Sequence, residues 1–132
     1  MAQKQFQLEI ITPDRIFYKG AAVMLEYCTT EGENGIYADH MPMTQVIAPG
    51  VMTITEAGGE KKKASLMAGF LEILPEKVTI LAETIEWPEE IDRKRAQRAK
   101  ERAEKRIRSG DPSIDIDRAE LALKRALVRL SF

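Results

Sequence analysis

The side chains best placed to do chemistry are three arginines near the end of the chain: Arg95, Arg125 and Arg129. Asp92 precedes Arg95 by three residues, so the two share a helical face. Arg118, Arg125 and Arg129 follow at spacings of seven and four and line one side of a second helix. If the turn between the helices centres near Gly110, Arg95 lies fifteen residues before it and Arg125 fifteen after. At a rise of about 1.5 Å per residue, those two then reach similar heights in an antiparallel pair. Guanidinium groups that converge without matching acids are costly unless solvated or met by an anion, and their planar fork suits phosphate. The chemistry on offer is anion binding.

The elements that must position these arginines lie in Glu89–Phe132, which reads as two charged helices around a Ser-Gly-Asp-Pro break at 109–112. Pro88 fits a first helical turn, Glu89, Glu90 and Asp92 suit the positive end of the helix dipole, and Arg106 and Arg108 suit the negative end. Gly110 and Pro112 stop the run. The least polar stripe of the first helix is Ala96, Ala99, Ala103 and Ile107; that of the second is Ile116, Ala119, Leu123, Ala126, Leu127 and Leu130. Ser113 or Asp115 can cap the second helix. Alanine facing leucine brings helices close but buries little area, and lone helices of this length are marginal in water. The spacing therefore predicts an antiparallel hairpin that is weakly closed by itself and easily biased.

Residues 1–87 read differently. Phe6, Leu8 and Ile10 alternate up to Thr12-Pro13-Asp14; Arg15–Lys19 makes a short strand ending at Gly20; Val23, Leu25 and Tyr27 repeat the alternation. Thr29–Gly35 is an exposed loop, and Pro42 and Pro49 keep Gly35–Gly50 irregular. Two hairpins follow, turning at Ala57–Glu60 and at Pro75–Lys77. Short strands with turns throughout predict an antiparallel β-sandwich or flattened barrel, so the fold class is β then α: a sandwich over 1–87 and a helical hairpin over 88–132.

Charge divides at the same boundary. Residues 1–87 carry seven Lys and Arg against twelve Asp and Glu, a net of −5, and residues 88–132 carry thirteen against nine, a net of +4. The single cysteine, Cys28, rules out an internal disulfide and fits a reducing compartment. No run of eighteen apolar residues spans a membrane, and the opening MAQKQFQLEI lacks a signal-peptide core. No phosphate-cradling glycine loop, HExxH, CxxC or GxSxG occurs. The sole histidine, His40, has only Asp39 beside it and lacks a nucleophile or metal partner, so neither catalysis nor a metal site is expected. A nucleic-acid arm is a rival reading of the basic helix, but five carboxylates between 89 and 104 and the lack of interleaved aromatics weigh against it.

Several stretches together resemble the epsilon subunits of bacterial F-type ATP synthases. These are QLEIITPDRIFYKG, EGENGIYADHMPM, AGFLEILPEKVTILAET and DIDRAELALKRALVRL, in the family's order and nearly end to end. The resemblance implies a sandwich of about ten strands followed by a two-helix hairpin. It also implies a non-catalytic rotor subunit in the central stalk that couples proton or sodium translocation to ATP synthesis. Its partners would be the gamma subunit, the ring of c subunits and the alpha and beta catalytic subunits. The subunit would lie on the cytoplasmic face of the bacterial membrane, held there only through the complex, with no nucleic acid involved. The helices would extend to inhibit ATP hydrolysis.

In some members ATP opposes that extension through an [IL]-D-x-x-R-A motif. It stands here as Ile91-Asp92-Arg93-Lys94-Arg95-Ala96, with Arg125 and Arg129 matching a K-R-A-x-x-R-L pattern and Glu86 matching a family carboxylate. ATP would be a regulatory ligand, and no cofactor is required. Glu33 and His40 match the loop that contacts the c ring and gamma, although Ala38-Asp39 stands where the family has Pro-Gly. The alternative within the family is a structural rotor subunit whose hairpin never opens.

Overall fold

The computed structural model describes residues 4–132, which fall into two compact units, one ending at Trp87 and the other Pro88–Phe132. In the first unit the alternation places Phe6, Leu8 and Ile10 in the core from β1 (Phe6–Ile11). The strand β2 (Ile16–Thr29) adds Phe17, Leu25 and Tyr27. Then come β3 (Gly32–Ile36), β4 (Met43–Ile47), β5 (Gly50–Glu56), β6 (Lys61–Ile73) and β7 (Lys77–Glu86). The two expected hairpins are β5–β6, with Thr55 opposite Lys61, and β6–β7, with Ile73 opposite Val78.

Seven strands form among the described residues, two of them long. Gly20 does not end a strand: β2 runs through it, paired there with Leu8. Residues of β2 pair with β1, β5, β3 and a corner of β4, with a register shift between Ala22 and Met24. Along β6 the partners are β5, β7 and β4, with shifts around Ala68. Bulges of this kind bend a strand and let it serve two layers. Pairings β1–β7, β7–β6, β6–β5, β5–β2 and β2–β1 close a ring, the flattened-barrel form of the expected sandwich. One pairing departs from the antiparallel expectation: β1 and β7 run parallel. They are the first and last strands, so the rest of the sheet supplies the long crossover that parallel pairing needs.

Gly69 in β6 is required by the geometry. Its φ is +145°, and a Cβ there would lie 2.2 Å from the Leu81 carbonyl oxygen. Trp87 closes this unit, stacked on Phe17 with ring centroids 4.3 Å apart.

The second unit opens with a 3-10 turn, Pro88–Glu90, followed by α1 (Arg93–Arg108) and α2 (Ile116–Leu130). The α1–α2 seam is narrower than the expected stripes. Ala96, Ala103, Ala119 and Ala126 are buried, whereas Ile116 and Leu127 are 40% and 46% exposed. Ala99, Ile107, Leu123 and Leu130 are half-buried. Small residues at seven-residue spacing bring the backbones close and leave the flanking leucines at the edge of the seam.

Candidate functional site

Asp92 is the residue before α1 rather than part of its first turn. Its extended backbone lets the carboxylate accept from the Arg95 N–H at 3.0 Å, a helix cap. Ile91 is buried, with its N–H donating to the Pro88 carbonyl at 3.2 Å, and Ala96 is buried in the seam. The motif Ile91–Ala96 is thus first a structural start signal that fixes where Arg95 stands. Asp115 caps α2 in the same way, accepting from the Arg118 N–H at 3.1 Å.

The connection between the helices holds Gly110 at a φ of +70° and is tied by Asp111, whose carboxylate accepts from the N–H and hydroxyl of Ser113 at 2.9 and 2.8 Å. Those two bonds, the backbone one first, hold the Asp111 pKa below its ordinary value. Because the connection runs from Ser109 to Asp115, the hairpin turns about residue 112 and not Gly110. Arg95 therefore lies level with Arg129, and Arg125 sits about 6 Å further toward the turn, opposite Ala99. The contacts across the open end agree: Arg93 donates from one terminal nitrogen to the Leu130 carbonyl at 3.1 Å and from the other to the Phe132 carbonyl.

The three arginines differ in exposure. Arg95 is exposed, whereas Arg125 and Arg129 are half-buried. The Nε of Arg125 is shut off from solvent and has no hydrogen-bond acceptor. A buried donor left unpaired costs on the order of 1–3 kcal/mol, more on a charged group, so this arginine is suited to an incoming anion. Glu86 is the last residue of β7, half-buried, in the first unit.

The other expected contacts lie in the sandwich. Glu33 is exposed on β3 opposite Cys28. His40 is half-buried, with Nδ1 2.9 Å from the Met41 carbonyl oxygen, a contact that places the proton on Nδ1. The Ala38-Asp39 departure keeps its turn. Asp39 adopts a φ of +63°, the left-handed conformation that glycine supplies readily and aspartate tolerates. Its N–H donates to the Pro75 carbonyl at 3.0 Å, and Lys4 Nζ donates to its carboxylate at 2.7 Å. That bond raises the Lys4 pKa. Ala38 packs on the core where the family has proline.

Sequence reasoning missed two features. One is the Arg93 contact, which depends on the hairpin register. The other is an apolar row on the outside of the sheet: Val46, Phe70 and Leu81 are opposite one another across β4, β6 and β7, each about half exposed. Its signal was present in the adjacent apolar residues Val46-Ile47, Phe70-Leu71 and Ile80-Leu81, where one member of each pair must face outward. Ile11, Pro13, Phe70 and Leu81 line a groove at one end of the row. Elsewhere, a concavity of about 430 Å³ is lined by Met24, Glu26, Cys28, Glu33 and Thr53 among others, with two carboxylates and no basic group, so it does not suit phosphate. Among the described residues no group of three or more His, Cys, Asp or Glu could hold a metal ion, and no helix is long and apolar enough to cross a membrane.

Comparison with known proteins covers both units. Residues 5–88 match the family described as ATP synthase, Delta/Epsilon chain, beta-sandwich domain. Residues 89–132 match ATP synthase, Delta/Epsilon chain, long alpha-helix domain. A protein of Natranaerobius thermophilus named ATP synthase epsilon chain is 46% identical over 132 residues, spanning 98% of this chain and 93% of that one. One of the same name from Clostridium novyi is 44% identical over 127 residues, spanning 96% of each. A chain in the cryo-EM structure of the Euglena gracilis mitochondrial ATP synthase, OSCP/F1/c-ring, is similar with a TM-score of 0.83 at 26% identity, over 96% of this chain and 80% of that one.

Proposed function

The chain belongs to the ATP synthase delta/epsilon family, and from that premise we propose a non-catalytic central-stalk rotor subunit whose hairpin is a nucleotide-biased brake on ATP hydrolysis. The sandwich would hold the gamma subunit and the c ring, passing ion-driven rotation to the catalytic subunits. The apolar row Val46–Phe70–Leu81 favours a lasting protein partner over solvent, and the loop carrying Glu33 and His40 would contact the c ring or gamma. Attachment to the cytoplasmic face of the membrane would go through the complex.

The observation that carries the regulatory reading is the unpartnered Arg125 Nε, with Arg95 and Arg129 level with each other one turn away. In the closed hairpin an ATP phosphate chain would meet Arg125 and Arg129 from α2 and Arg95 from α1, while Asp92 fixes the start of α1. ATP would then favour the closed form by mass action, because only that form presents arginines from both helices together. When the hairpin opens, its net positive charge would favour acidic surfaces of the alpha and beta subunits.

Assembled enzyme carrying either the full chain or a chain ending at Trp87 tests the brake. Hydrolysis should be faster with the shorter chain, and the difference should shrink as ATP rises. Equal hydrolysis at low ATP would mean that the helices are not inhibitory.

A further inference from the structure

Arg93, in the first turn of α1, hydrogen-bonds directly to the far end of the hairpin's second arm. The last carbonyls of a helix have no partner within it. In α2 the Val128 carbonyl is met by the N–H and hydroxyl of Ser131, at 3.2 and 2.6 Å. Arg93 meets the Leu130 carbonyl, the last of α2, with one terminal nitrogen and a backbone oxygen of Phe132, two residues beyond the helix, with the other. A cation at a helix C-terminus is also favoured by the dipole, and its planar fork suits two acceptors at once. Neither a lysine, with its single point of charge, nor a neutral residue reproduces that.

We propose that Arg93 is a clasp: it holds the open end of the hairpin shut without any ligand. The same turn of α1 divides its labour. Arg93 and Arg95 are two residues apart, about 200° round the helix, so they leave it on different flanks, both exposed, and only Arg93 reaches the end of the second arm. The clasp closes the hairpin in the register that the seven-residue connection sets, with Arg95 level with Arg129. It goes beyond the nucleotide reading, because it acts on the empty hairpin.

Hydrogen exchange of α2 amides in the full chain, measured without nucleotide, tests it. Arg93→Gln should speed exchange along α2 by about tenfold, the size of one exposed charge-assisted contact. Arg93→Lys should fall between that variant and the parent, since an ammonium meets one carbonyl where the guanidinium meets two. Lys94→Gln removes the same charge from the same turn without the contact and should leave α2 as it was. Sandwich amides should keep their protection in all three, which separates opening of the hairpin from general unfolding. Exchange in Arg93→Gln no faster than in Lys94→Gln would overturn the clasp, whatever ATP does.

Discussion

Replacing Ala126 by leucine should open the hairpin while the sandwich stays folded. Ala126 is 1% exposed, and with Ala96, Ala103 and Ala119 it makes the buried centre of the seam, flanked by half-buried Ile107, Leu123 and Leu130. At about 0.8 kcal/mol per buried carbon, those four methyls contribute roughly 3 kcal/mol to closure. Three added carbons in so close a seam should force the helices apart at a cost of about 1–3 kcal/mol, shifting the closed-to-open ratio by roughly 5- to 150-fold. One substitution can thus offset most of what the seam supplies. The assay has two channels: helical circular dichroism follows the hairpin, because separated helices of this length lose structure in water. Trp87, the only tryptophan, is stacked on Phe17 within the sandwich and reports that unit. On heating Ala126→Leu, the helical transition should move down while the fluorescence transition stays. A helical transition that is unchanged or higher would mean that the seam has room and that close alanine packing is not what limits closure.

Other expectations follow from single positions. Gly69→Ala should destabilise the sandwich by about 3 kcal/mol or more, since it combines a strained φ with a clash against the Leu81 carbonyl; urea unfolding followed by Trp87 fluorescence measures it, and a loss under about 1 kcal/mol would refute the geometry. Asp39→Gly should leave stability nearly unchanged, because relief of the left-handed strain offsets added freedom in the unfolded chain. Asp39→Ala keeps the strain and should cost about 1 kcal/mol by the same measurement. Asp111 has a lowered folded pKa, so its contribution is present above the ordinary aspartate range and is lost as pH falls through the lowered value. The helical transition should therefore weaken at acid pH, and by less in Asp111→Asn; identical acid profiles would remove Asp111 from the account.

What was legible in the sequence was what acts locally. Pro88 and Pro112 mark the helical region because each limits its own backbone, Gly110 because it takes the left-handed conformation freely, and the alternation in Phe6–Ile10 fixes which face is buried. Asp115, one of the two caps expected for the second helix, is its cap, whereas Asp92 was expected within the first helix and proves to cap it. Some misreadings were local: α1 starts at Arg93 rather than in the turn after Pro88, and β3 and β4 form where a loop and an irregular stretch were expected. The others concern pairing at a distance. Taking Gly110 as the centre of the turn set Arg95 level with Arg125, whereas the seven-residue connection shifts the register by one helical turn and sets it level with Arg129. Gly20 read as a strand end because glycine often is one, yet pairing with β1 carries β2 through it. The parallel β1–β7 pair leaves no local mark, since its partners are separated by nearly the whole domain. Arg93 could not be distinguished from its neighbours by type or spacing; only the end of α2 gives it a role.

The central claim is that the arginine face binds nucleotide, and calorimetric titration of ATP into the full chain addresses it most directly. Saturable binding in the parent chain, lost in Arg125→Ala and retained in Lys94→Gln, is the predicted result. No heat of binding at millimolar ATP, or binding that survives Arg125→Ala unchanged, would contradict it and leave a rotor subunit whose hairpin answers to its protein neighbours alone.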